Sequence, residues 1–140
     1  MAIEVLETRW LEDMSFESEI NGHKIILDAD EAVGGKDRGP RPKPMILEAL
    51  AGCTAMDVIS LSKKMRVELD EFKVVVKGTV RDEHPKYFTH IHLQWVFTGK
   101  NMDHAKLEKA CNLSKDRYCG VFYMLQKSSE ITTEIIYNED

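Results

Sequence analysis

Three cysteines, Cys53, Cys111 and Cys119, are the residues of this 140-residue chain with the widest chemical reach. A thiolate is a nucleophile, a redox centre and a metal ligand, and its surroundings decide which. The number is odd, the spacings are wide and no pair forms Cys-x-x-Cys. That pattern indicates neither a disulfide framework nor a zinc ribbon, so no metal site is expected. The bland reading is three free thiols buried as small hydrophobes in a reducing compartment. Cys53 invites a sharper one. It falls about three turns into an apolar helical stretch, where the field of the helix N-terminus has faded. Asp57 follows at i+4, on the same face, and a carboxylate there disfavours a thiolate. Reactivity then needs a cation, and Arg38, Arg41 and Lys43 stand just upstream. His90 and His92 alternate on one strand face and could share a metal. With no third ligand in the pattern, a solvated sheet face is the better reading.

The elements that must position these residues are legible from periodicity. A strand begins in Ile3–Leu6. Met14–Ile20 alternates with period two, Asn21-Gly22 signals a hairpin turn, and His23–Leu27 is the return strand. Residues 30–42 hold three glycines and two prolines among Asp37, Arg38 and Arg41, which makes a loop suited to the rim of a site. Pro42 and Pro44 suit a first helical turn. From there to Met65 the chain reads as a helix of about 33 Å, apolar nearly all round. Such a helix wants burial on every side, which a single chain this small does not supply, so a dimer is expected. Strands follow at Glu71–Arg81 and Tyr87–Phe97, the latter with Ile91, Leu93, Trp95 and Phe97 on one face. A helical section runs from Asn101 or Met102 to about Gln126, with a break near Asn112, and Ile131–Tyr137 closes as a strand. The order predicts an α+β fold with a mostly antiparallel sheet, and residues 1–140 read as a single domain.

Composition narrows the function. Hydrophobic residues make up 43% and charged residues 31%, as in ordinary globular chains. A net charge of −5 and the lack of a basic run argue against a nucleic-acid partner. Glu4 and Glu7 interrupt the N-terminal segment where a signal peptide needs an apolar stretch. Met45–Leu61 carries Glu48 and Asp57 and reads as a core helix, with no membrane span expected. The default location is the cytoplasm.

The segment Arg41-Pro-Lys-Pro-Met-Ile-Leu-Glu-Ala-Leu-Ala-Gly-Cys-Thr-Ala-Met-Asp57, with the later Ala110-Cys-Asn-Leu-Ser114, resembles the OsmC/Ohr family of osmotically inducible and organic hydroperoxide resistance proteins. Leu-Ala-Gly-Cys-Thr-Ala-Met-Asp is typical of its OsmC-like branch, and the element order agrees along the whole chain. The resemblance implies an OsmC-like fold, with a mostly antiparallel sheet wrapped around a long central helix, in an intertwined homodimer with sites at the subunit boundary. It also implies a cysteine-based peroxidase without a cofactor. In that chemistry an organic hydroperoxide oxidises a helix cysteine to sulfenic acid, and a second cysteine resolves it to a disulfide. An arginine paired with a glutamate polarises the peroxide. Cys53 matches the attacking position. Cys111 matches the resolving position, three residues before Ser114, although Asn112 stands where the peroxidases have proline. Cys119, in Arg-Tyr-Cys-Gly, resembles a second cysteine position of the branch and is the rival. On a continuous helix the two lie about 80° apart, so only one readily faces Cys53. Arg38 and Arg41 both lie in the loop that supplies the arginine. Lys43 stands where the peroxidases carry the glutamate, so the charge is reversed and the arginine loses its partner.

Two functions compete. One is a thiol-dependent peroxidase acting on small hydrophobic hydroperoxides and recycled by an external thiol reductant, with Cys53, Cys111 and Arg38 or Arg41 as its machinery. The other is a binding module that holds a small apolar or thiol-reactive ligand with little turnover, a reading that Lys43 favours.

Overall fold

Alternating side chains, one Asn-Gly turn and one long apolar run organise the chain, seen here in a computed structural model that describes residues 1–139. The contacts divide it into two units, Met1–Ile46 and Leu47 onward, with the division inside the long helix.

The first unit is an antiparallel meander of β1 (Glu7–Trp10), β2 (Phe16–Ile20) and β3 (His23–Leu27). The expected strand at Ile3–Leu6 is displaced to Glu7, and Ile3 and Val5 are fully exposed. Asn21 and Gly22 adopt positive φ, and Ile20 pairs with His23, so the two-residue turn forms where Asn-Gly predicts it. After β3 the chain doubles back on itself. Asp28 donates its N–H to the Pro40 carbonyl, and Asp37 donates to Ala29. The Asp28 carboxylate accepts the N–H groups of Ala29, Lys36 and Arg38. Burial alone would raise this acid, but the three donors hold it below its ordinary value. A Cβ on Gly39 would lie 2.1 Å from the Ile26 carbonyl oxygen, so the loop can lie flat on β3 only with glycine there.

The second unit contains β4 (Glu71–Val80), β5 (Phe88–Gly99) and β6 (Glu130–Glu139), in that order across the sheet. β4 and β5 are antiparallel, whereas β6 runs parallel to β5. The α+β class and the mostly antiparallel pairing hold, but the strands form two three-stranded sheets. Ile91, Leu93, Trp95 and Phe97 point inward, each at most 1% exposed. The opposite face carries His90 and His92, which pair with Glu130 and Glu134 of β6. α2 (His104–Leu113), a π-helical turn (Ser114–Tyr118) and α3 (Gly120–Leu125) add Leu107, Ala110, Cys111 and Phe122 to the core.

α1 (Pro42–Lys64) is the one helix among the described residues long and apolar enough to cross a membrane by length and composition. Its buried residues, Leu50, Thr54, Val58 and Ser62, follow an i, i+4 stripe, while Met56 is 76% exposed. A single chain therefore covers only one face of it.

Gly39→Ala forces the loop off β3 and is expected to destabilise the protein by about 1–3 kcal/mol, the usual range for overpacking. A urea midpoint equal to that of the parent would show that the close approach is not needed.

Candidate functional site

Helical spacing puts Cys53, Thr54 and Asp57 within one turn of α1. Thr54 is fully buried, while Cys53 and Asp57 are half-buried at the margin of the core. The π-helical turn brings two further groups to them. Ser114 begins that turn, and its carbonyl accepts the N–H of Cys119 at 2.8 Å. Cys119 then leaves the helical conformation, with φ −80° and ψ 99°, and caps α3. Its sulfur accepts the Phe122 N–H at 3.3 Å.

A directed hydrogen-bond chain lies beneath the two sulfurs. The Trp95 indole donates to Thr54 Oγ1 at 3.0 Å, Thr54 and Ser114 share a bond of 2.8 Å, and Ser114 Oγ donates to Asp57 Oδ2 at 2.9 Å. Each hydroxyl has one proton to give. Ser114 gives its proton to the carboxylate, so Thr54 must donate to Ser114 and accept from Trp95. The direction is fixed from indole to carboxylate, and one oxygen of Asp57 is held in place.

Cys53 Sγ, Cys119 Sγ and a carboxylate oxygen of Asp57 all lie within 4.8 Å of one another. All three cysteines are free thiols. Desolvation raises the Cys119 thiol first, followed by its interaction with the Cys53 sulfur and the nearby Asp57 charge, against the Phe122 N–H, which favours the thiolate. Cys119 therefore keeps its proton at neutral pH. Cys111 is not part of this group. It is fully buried on α2, and burial, with Glu108 second, pushes it up to about 12.

The two arginines lie in the first unit. Arg38 bonds Ser15 Oγ at 3.1 Å and pairs with Glu12 and Asp13. Arg41 pairs with Asp37 at 2.6 Å and with Asp30. Neither guanidinium lacks a carboxylate, although Lys43 stands where the resemblance implies a glutamate. Arg41 also borders a largely apolar cavity of about 540 Å³ that Met14, Phe16, Leu27 and Val33 help to line.

Sequence reasoning found Cys53, and it held Cys119 only as the rival to Cys111; the structure places Cys119 beside Cys53. Thr54, Ser114 and Trp95 were missed as parts of the site. The usable signal was the polar pair Thr54 and Asp57 in the apolar stretch 49–59 of the helix, since buried hydroxyls and indoles need partners. The arrangement offers a half-exposed thiol, a protonated second thiol and an oriented carboxylate. That set suits thiol oxidation followed by disulfide closure, and the same three groups could hold a metal.

Comparison with known proteins places these residues in context. A family model described as OsmC-like protein matches residues 34–134. Protein YhfA of Escherichia coli K12 is 36% identical over 125 residues, which cover 89% of this chain and 90% of YhfA. A hypothetical protein from Aquifex aeolicus VF5 superposes with a TM-score of 0.87 at 25% identity, covering 100% of this chain and 99% of its own. An organic hydroperoxide resistance protein OsmC from Legionella pneumophila, 12% identical, shares the fold with a TM-score of 0.70 over 97% of this chain and 98% of its own.

The raised thiols make stability sensitive to alkali. In the native protein Cys111 stays protonated up to about pH 12, whereas its unfolded value is near 9.0. Between those values the unfolded chain binds fewer protons, so stability is fully present below about pH 9 and falls as pH rises towards 12. Cys111→Ala should flatten this alkaline limb in urea titrations at stepped pH. An unchanged slope would contradict the assignment.

Proposed function

The chain belongs to the OsmC-like protein family, and from that premise we propose that it reduces organic hydroperoxides with Cys53 as the attacking thiol and Cys119 as the resolving one. The observation that carries this reading is the second, protonated thiol within 4.8 Å of Cys53. Cys111, in the resolving role by resemblance, is fully buried among the core side chains. That placement favours Cys119.

The chemistry balances in two steps. The Cys53 thiolate attacks the terminal oxygen of ROOH, the O–O bond breaks, and the alkoxide takes a proton from solvent to leave as ROH. Sulfur has lost two electrons and is now sulfenic acid. Cys119 sulfur then attacks Cys53 sulfur, an S–S bond forms, and hydroxide departs with the Cys119 proton as water. Asp57, fixed by Ser114, is the base placed to relay that proton, directly or through one water. The two sulfurs must close from within 4.8 Å to about 2.05 Å. An external thiol returns the two electrons. Arg38 and Arg41 are the candidates for polarising the peroxide, and each is held by carboxylates.

The working form in this reading is a homodimer. Met56 on α1 and Tyr123 and Met124 on α3 are large, apolar and more than half exposed in the single chain, and a second copy would cover them. Sedimentation at micromolar concentration should give twice the chain mass.

The cavity of the first unit supports a second reading, retention of a small apolar ligand with little turnover. Native mass spectrometry that finds such a ligand, together with negligible peroxide consumption, would favour it.

Single-turnover reaction of the reduced protein with cumene hydroperoxide tests the first reading. Cys53→Ser should abolish consumption, and a variant as fast as the parent ends the proposal. Cys119→Ser should consume one equivalent and accumulate a sulfenic acid that dimedone traps, while Cys111→Ala still forms the disulfide. Neutralising the arginine that polarises the peroxide, by Arg38→Gln or Arg41→Gln, should slow oxidation about 10²–10³-fold.

A further inference from the structure

We infer that Cys53, Asp57 and Cys119 form, in the reduced protein, a three-ligand site for Zn²⁺ with one coordination position open. The inference shares Cys53, Asp57 and Cys119 with the hydroperoxide reading but needs no turnover.

The donor geometry comes first. Tetrahedral zinc with Zn–S near 2.3 Å and Zn–O near 2.0 Å places its ligand atoms roughly 3.5–3.8 Å apart. The two sulfurs and the carboxylate oxygen already lie within 4.8 Å of one another. Closing the remainder takes about 1 Å, a small side-chain rotation. The donor set also selects the metal. Two soft thiolates with one carboxylate suit Zn²⁺, whereas Mg²⁺ and Ca²⁺ take oxygen ligands. Zinc binds thiolates, so the protonated Cys119 thiol gives up its proton on binding.

Outer contacts strengthen the case. A metal-binding carboxylate is oriented by outer hydrogen bonds, and the Asp57 carboxylate already accepts one from Ser114 at Oδ2. Ser114 is itself fully buried and locked through Thr54 to Trp95. On the other side, the Phe122 N–H points at the Cys119 sulfur, the contact that stabilises a coordinated thiolate. Cys53 and Asp57 are half-exposed, which gives the ion an entry path. Coordination engages the Cys53 lone pair that would attack peroxide, so zinc occupancy and oxidation exclude each other.

Cobalt(II), a spectroscopic substitute for zinc, provides the test on the reduced protein. One equivalent should produce tetrahedral visible bands and a thiolate-to-cobalt charge-transfer band in the near ultraviolet, both erased by Zn²⁺. Cys119→Ser should weaken binding at least 100-fold, and the isosteric Asp57→Asn about 10–100-fold, with far-ultraviolet circular dichroism confirming the fold. In the parent protein, Zn²⁺ should also protect Cys53 from iodoacetamide. Charge-transfer bands that survive both substitutions unchanged would overturn the site, as would alkylation unaffected by equimolar Zn²⁺. Absence of peroxide turnover with the cobalt bands intact would remove the hydroperoxide reading alone.

Discussion

The polar chain from Trp95 through Thr54 and Ser114 to Asp57 is the constraint on which the site depends. Its three inner members are at most 1% exposed, so every donor and acceptor left unpaired there would cost about 1–3 kcal/mol. The chain is satisfied in one direction only. That direction ties α1, β5 and the start of the π-helical turn to a single relative placement. Cys53 and Asp57 flank Thr54 on α1, and Cys119 lies five residues after Ser114. The same bonds that complete the core thus set the distance between the two sulfurs.

A site of this kind works against ordinary electrostatics. Desolvation and a neighbouring carboxylate both keep Cys119 protonated. That is a disadvantage for a nucleophile and an advantage for a resolving thiol. A resolving thiol has no task until the first sulfur is oxidised, and the neutral form does not repel a Cys53 thiolate. The two cysteines differ in exposure, one half-exposed and one buried, and the proposed division between attack and resolution follows that difference.

Much of the fold was legible in the sequence because its signals are periodic. The alternation of Ile91, Leu93, Trp95 and Phe97 named the buried face of β5, Asn21-Gly22 named the hairpin, and the apolar run named α1 almost to its ends. Other features escaped because they are set by partners distant in sequence. The parallel pairing of β6 with β5 joins Ile131 to Ile91, and no local pattern encodes that direction. The angle of about 80° between Cys111 and Cys119 supposed a continuous helix. The structure inserts a π-helical turn over Ser114–Tyr118 and an extended residue at Cys119, so an angle reckoned at 3.6 residues per turn no longer applies across the gap. Cys111 stays in register with Leu107 and Ala110, whereas Cys119, buried in the same core, lies beside Cys53 of α1.

Lys43 illustrates the difference between losing a residue and losing its physical role. By resemblance its position carries the glutamate that partners the arginine, so a lysine there suggests an unpaired guanidinium. Each arginine has carboxylates of its own. Arg38 meets Glu12 and Asp13, and Arg41 meets Asp30 and Asp37. The hydrogen bond that Arg41 donates to Asp37 is the main influence on it, and it raises a group that is already fully charged at any working pH. Pairing therefore changes nothing about the charge. It fixes where the planar fork points, and a bidentate cation is useful to a peroxide only when oriented. The loop carrying both arginines is itself pinned by the Asp28 carboxylate and by the close approach of Gly39 to β3. Orientation is thus built into the first unit, and the reversal of charge at position 43 leaves that property in place.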